Sequence, residues 1–240
     1  ARDEGAAIYG VLGNYIVYGA GVFNGDGRNG ISVDSNLLYA GRVQFTPCCG
    51  ELKYKQGQFP TGGEYNFEPN FGPNDNVLIA ISTAAAVIPG LNTERKTLDN
   101  SSIDDRFAEI GTVDADVFSF TMDVNLRYSI FSLDGEYIFR RISPEESDLS
   151  NVNDQGFRVQ GGLFVIPQFI EVAGRFAYID FDGDVDGKDK KWEITPGLGF
   201  YFSKSYKWKL QFGYSFIREE DTAGEETDSN TFRTQIQVYF

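Results

Sequence analysis

The 240-residue chain contains no histidine, which removes Ser–His and Asp–His catalytic machinery at once. It also lacks a run able to cross a membrane as a helix. The longest apolar stretch, Val77 to Leu91, is interrupted by Ser82, Thr83 and Pro89 and falls short of the ~20 residues required. No apolar segment with a basic flank opens the chain, so any export signal is expected to have been removed already or never to have been part of this sequence. No Pro- or Ser-rich linker divides it, and one domain over residues 1–240 is expected. Positive charge is scarce, with 21 Lys and Arg against 35 Asp and Glu and a net charge of −14. That balance argues against nucleic acid as a partner, because phosphate neutralisation needs a basic surface. The two cysteines, Cys48 and Cys49, are adjacent. Neighbours in sequence offer neither metal-ligand spacing nor the Cα separation of an ordinary disulfide. A strained vicinal disulfide or two unpaired thiols in a turn is the expectation, with a metal role as the alternative. A Gly-rich phosphate cradle opening a helix is missing too, since Asn24 to Gly30 reads as a loop.

What the chain does have is alternation. Aromatics make up 15% of it and glycine 27 residues, and seven stretches change side with every residue. The last runs as Phe232, Thr234, Ile236, Val238 and Phe240, with Arg233, Gln235, Gln237 and Tyr239 between. Half of each such strand is greasy and half polar, which suits a wall with lipid on one side and water on the other. Hydropathy alone would miss it. Period-2 segments bounded by Gly, Pro, Asn and Asp clusters predict strands near Asp3–Val11, Asn14–Phe23, Asn36–Thr46 and Asn76–Ala86. Seven more are predicted at Ala115–Tyr128, Ser129–Ile142, Gln155–Val165, Gln168–Phe181, Lys191–Phe202, Tyr206–Arg218 and Thr231–Phe240. The fold class expected is therefore all-β, a transmembrane antiparallel barrel with about eleven strands in this chain.

Connections alternate in length. Leu12-Gly13, Tyr128-Ser129, Ile166-Pro167 and Ser203 to Ser205 read as tight turns. Asn24–Ser35, Ile88–Asp114, Ser143–Asp154, Asp182–Lys190 and Glu219–Asn230 read as longer polar loops. Short periplasmic turns and long external loops are the outer-membrane pattern. Pro47 to Asp75 departs from it, being long on the short-turn side, and an added hairpin around Leu52 to Phe59 would raise the strand count by two. Eleven strands ending in the periplasm would put Ala1 outside. An even barrel with both termini periplasmic then implies upstream strands, or a second chain, to close the wall.

Charged side chains at bilayer depth cost roughly 2–4 kcal/mol on the lipid face, so strand charges are expected inside. The predicted inward cations are Arg42, Arg127, Arg140, Arg158, Arg175, Lys207, Lys209 and Arg233, and the acids are Asp123, Asp134, Glu136, Glu171 and Glu193. The lumen so inferred is mildly cationic, while Glu145, Glu146, Asp148, Glu219, Glu220, Asp221, Glu225 and Glu226 load the external loops with acid. Rings of Arg and Lys favour anions in a pore; simple pairing, as between Glu171 and Arg175, is the competing expectation for any one residue. Asp134 and Glu136 share a face and could do acid–base work, but wall charges are the plainer reading, and no enzyme is expected. Asp182, Asp184, Asp186, Gly187 and Glu193 fit the spacing of a Ca²⁺ loop. No helices flank it, and Asp189 fills the usual apolar slot, so a solvated acidic loop competes with a Ca²⁺ site there.

Residues Gly156 to Asp182, GFRVQGGLFVIPQFIEVAGRFAYIDFD, resemble the phosphate-selective porin family of outer-membrane channels. Lys191 to Tyr214 is similar to that family's late hairpin, with a Glu-x-Thr-x-Gly strand and a Lys-rich return. Arg2 to Gly27, ending in Phe-Asn-Gly-x-Gly, is similar to a segment well inside family members. The resemblance implies the C-terminal part of a sixteen-stranded barrel, a homotrimer in the bacterial outer membrane, contacting membrane lipid and lipopolysaccharide and passing small anions. No cofactor is implied. It does not map an arginine ladder residue by residue, and Arg158 and Arg175 are the inward cations singled out. The rival functional reading is a barrel sleeve enclosing a partner such as a redox protein. A soluble two-sheet sandwich is the third, opposed by the outward rows of Phe and Tyr.

Overall fold

The computed structural model describes residues 4–13, 15–24, 36–47, 77–92, 114–145, 150–185, 188–202 and 207–238. Cys48, Cys49, the hairpin expected around Leu52 to Phe59, Glu146, Asp148 and the turn expected at Ser203 to Ser205 lie outside those residues. Eleven strands form: β1 (Gly5–Leu12), β2 (Ile16–Phe23), β3 (Leu38–Phe45), β4 (Leu78–Asn92), β5 (Asp114–Tyr128) and β6 (Phe131–Pro144). They continue as β7 (Val152–Ile166), β8 (Ile170–Val185), β9 (Lys188–Tyr201), β10 (Trp208–Asp221) and β11 (Glu226–Val238). All belong to one sheet in strict chain order, every neighbour antiparallel. Among the described residues β1 and β11 are its edges, and the sheet is not closed.

Three tight connections are made by residues in the left-handed region: Gly13 (φ 57°), Ser129 (φ 50°) and Gln168 (φ 61°). Reversing the chain within so few residues needs a positive φ, and two of these positions accept it without glycine. At the opposite end several predicted loops are ladder instead. β8 and β9 stay paired out to Val185 and Lys188, and β10 and β11 out to Glu220 and Glu226. Glu219, Glu220, Asp221 and Glu226 therefore sit on strands, because polar side chains do not interrupt a ladder that has risen clear of hydrocarbon. β4 also outruns its predicted end at Ala86. It passes Pro89 by a bulge between Ile88 and Leu91, where Gly90 (φ 59°) donates its N–H to the Asp116 carboxylate at 2.9 Å.

Register fixes the faces, since directly opposed residues share one. Phe118, Phe120, Met122, Val124, Leu126 and Tyr128 oppose Arg141, Phe139, Tyr137, Gly135, Leu133 and Phe131. Asp123, Asn125 and Arg127 oppose Glu136, Asp134 and Ser132 on the other side. The apolar face is the exposed one: Met122 is 49% exposed, Trp208 52% and Ile236 69%, whereas Arg127, Glu171 and Lys209 on the polar face are 3%, 4% and 6% exposed. A water-soluble protein buries the reverse set. Here the polar side carries the buried charges, and the exposed apolar side suits an apolar solvent.

Aromatic rows bound that apolar band. One crosses β6 to β9 as Tyr137, Phe157, Tyr178 and Trp192; another gathers Phe169, Phe202 and Trp208 near the short turns, the last two with ring centroids 5.0 Å apart. From Trp192 to Phe202 the chain spans about 25 Å after allowing for strand tilt, the height of a lipid-facing band with its girdles.

Candidate functional site

The ladder gathers the sequence-selected charges onto the polar face. One row of opposed residues runs Ser82, Asp123, Glu136, Arg158, Ala177 and Glu193. The next runs Asn125, Asp134, Gln160, Arg175 and Thr195. Arg42, Arg127, Arg140, Glu171, Lys209 and Arg233 take the same parity on their strands. Lys207 lies in the turn just ahead of β10. All twelve strand positions thus share one side.

Most of these charges are paired across strands. Arg127 reaches Asp134 at 2.8 Å, Arg140 reaches Asp154 at 2.7 Å, Arg158 reaches Glu136 at 2.8 Å, and Arg42 approaches Asp123 at 3.8 Å while donating to the Ser82 hydroxyl at 3.0 Å. Glu193 is a hub: it accepts from Arg175 at 2.5 Å, Thr195 at 2.6 Å and Ser215 at 2.8 Å. Arg233 stands 3.9 Å from the same carboxylate. Because Glu193 already accepts from three donors, Arg233, on the edge strand β11, is the arginine least neutralised by the described residues. Its side chain is 57% exposed, with Arg42 and Arg158 each at 49%, against 3% for Arg127. Burial separates wall braces from groups a solute can touch.

The predicted Glu171–Arg175 pairing is replaced by a different arrangement. Two residues apart on one side would be four along the strand, but Arg175 turns across to Glu193. Glu171 instead accepts a hydrogen bond from the Tyr201 hydroxyl. Its carboxylate lies over Gly162, where a Cβ would meet Oε1 at 2.1 Å, so the bare glycine is what admits it. Phe164 packs edge-on against Tyr201 at 5.4 Å, and this cluster near the short turns is buried. At the loop end Leu91, Ala115, Val117 and Ile142 form a dry patch on the polar side of β4 to β6. Across β1 to β4 the polar side carries small residues, Ala7, Gly19, Gly21, Ala40 and Ala84 among them, and leaves a hollow of about 280 Å³ beside Arg42.

Asp154, Lys191 and Glu219 share the polar face and were missed by the sequence reading. Lys191 contacts Glu219 across β9 and β10. Parity would have found all three: Asp154 is two steps of two from Arg158, and Glu219 is in phase with Lys209. Two of them lay beyond the predicted strand ends. With these included, the excess of positive over negative groups shrinks. For the Ca²⁺ expectation, Asp186 and the Asp184 side chain lie outside the described residues. Asp182 accepts from the Asn153 backbone N–H at 2.8 Å, and Glu193 is occupied by Arg175; no group able to hold a metal forms among the described residues.

A charged polar face, a band of exposed aliphatics and aromatic girdles on one antiparallel sheet define an outer-membrane β-barrel wall. The chain belongs to the phosphate-selective porin O and P family, whose family model matches residues 6–240. Its place is the bacterial outer membrane. A solved structure, outer-membrane expressed OmpT of Vibrio cholerae, is similar with a TM-score of 0.43 and 10% sequence identity, over 89% of this chain and 61% of that one. The chain thus spans less than two thirds of that neighbour's length. No curated protein matches it.

Proposed function

We propose that the protein is a passive diffusion channel for small solutes that prefers anions, working as part of a homotrimeric, sixteen-stranded porin. Family membership supports the channel, and the observation that supports the preference is the exposure of the Arg233 and Arg42 guanidinium groups on the polar face. A guanidinium keeps its charge at any physiological pH and presents a fork of donors to an oxyanion. Where its carboxylate partner is distant or already saturated, that fork is available to a passing ion. Lumen cations bias a pore towards anions without a binding site deep enough to trap them.

The test is the reversal potential across a salt gradient, using protein extracted whole from its membrane and reconstituted in a planar bilayer. Anion preference is expected, and Arg233→Gln is expected to move the reversal potential towards zero more than Arg127→Gln in any variant that still assembles. Cation preference in the unaltered protein would end the anion reading, and absence of conductance would end the channel reading.

A further inference from the structure

The polar side of the sheet changes character between β4 and β5. From β5 to β11 it carries both signs of charge, as at Asp123, Arg158, Glu193 and Arg233. The four strands β1 to β4 hold one charged residue between them, Arg42. On their polar side Gly19, Gly21, Ala40, Ala84 and Ala86 floor the hollow of about 280 Å³. Every one of these side chains ends in a methyl group or a hydrogen. Gly21 shapes the space: a Cβ there would meet the Phe23 ring at 2.6 Å, so the bare backbone lets the ring lie back along β2 as the wall on the loop side.

Arg42 bounds the other end, directly opposite Gly19 and Ala84. Its Nη2 donates to the Ser82 hydroxyl at 3.0 Å and stands 3.8 Å from the Asp123 carboxylate. Nε and Nη1 make no bond among the described residues, and the side chain is half exposed. A hydrated inorganic ion gains nothing from the floor beside this group, because methyl groups and bare backbone do not replace its water. An anion with an apolar body gains twice. Its carboxylate takes the unused donors of the guanidinium fork, and its body leaves water against the alanines and the Phe23 ring. The volume suits a single ring with its carboxylate, at the small end of ligand sites.

We propose that the β1 to β4 wall is a contact site for organic anions with a flat apolar body, aromatic carboxylates in particular. Arg42 holds the carboxylate, while Phe23 and the small-residue floor take the ring. The inference rests on the anion-channel reading above and names a solute class and a place on the wall for it. Charge complementarity selects the anion, and the uncharged floor selects the ring.

The probes are benzoate and acetate, which share a carboxylate and differ by the ring. Protein extracted whole from its membrane is reconstituted in a planar bilayer, and reversal potentials against chloride give the permeability of each. Benzoate is expected to be about five-fold the more permeant, the equivalent of one ring face leaving water, although the larger ion diffuses more slowly. Ala84→Leu, which fills the hollow, and Arg42→Gln, which removes the anchor, are each expected to bring the ratio down towards one; chloride conductance identifies the variants that have assembled. Benzoate no more permeant than acetate, in a channel that prefers chloride to potassium, overturns this inference alone. A hollow already covered by a second copy or by another stretch of the chain would give that result. A benzoate advantage that survives both substitutions overturns the assignment to this wall. Preference for potassium, or no conductance, removes the anion reading and this inference with it.

Discussion

Phe176→Arg is expected to stop the chain from assembling in the membrane, while Ala177→Arg, one residue along, leaves assembly intact. Phe176 opposes Val159 and Ile194 on the exposed apolar face and packs against Phe157 with ring centroids 5.6 Å apart. An arginine near the middle of that face costs roughly 2–4 kcal/mol in lipid, before the lost ring contact is added. Total stabilities of folded proteins are only about 5–15 kcal/mol. Ala177 opposes Arg158 and Glu193 on the polar face, where an added guanidinium meets water and carboxylates. The check is the fraction of each variant recovered as the heat-modifiable species. A single strand thus gives opposite outcomes at consecutive positions, which no account based on composition would produce.

The second large effect is expected from Glu193→Gln. Glu193 neutralises Arg175 at 2.5 Å and is the only ion-pair partner described for Arg233. The amide keeps a carbonyl oxygen for the Thr195 and Ser215 hydroxyls, so shape is preserved while the wall loses one negative charge. Anion preference should rise, seen as a reversal potential displaced towards the anion limit. Stability should fall by roughly 1–3 kcal/mol, since Arg175 loses a charge-assisted bond and its Nε is already buried without a partner. Arg175→Gln is expected to do the opposite to selectivity, leaving Glu193 to be neutralised by Arg233 alone.

Strand identity and which residues share a side of the sheet were legible in the sequence because both follow from a period of two. Asp134 and Glu136 had to share a side, and lipid had to be the other side's solvent. The length of the strands was not legible. Nothing in Asp182–Lys190 or Glu219–Asn230 marks where hydrocarbon stops, and a ladder continues into water as readily as a loop begins. Pro89 looked like an end and proved to be a bulge, since a missing N–H donor is tolerated where the register shifts. Pairing was the least legible of all. Arg175 had two acids in reach of a flexible side chain, and the choice of Glu193 over Glu171 depends on which strand lies beside which and on the bare Gly162 that admits Glu171. Sequence spacing along one strand carries no information about that.

The most direct measurement is a cysteine scan along β8, from Val172 to Ile179, in a background where Cys48 and Cys49 are serine. Each variant, reconstituted in lipid, is exposed to a charged water-soluble thiol reagent and, separately, carries a spin label read for contact with lipid or aqueous relaxant. The account predicts labelling at positions 173, 175, 177 and 179 and lipid contact at 172, 174, 176 and 178, alternating without a break. Labelling that is uniform along the strand, or that shows the even positions shielded from lipid inside the protein, would contradict it.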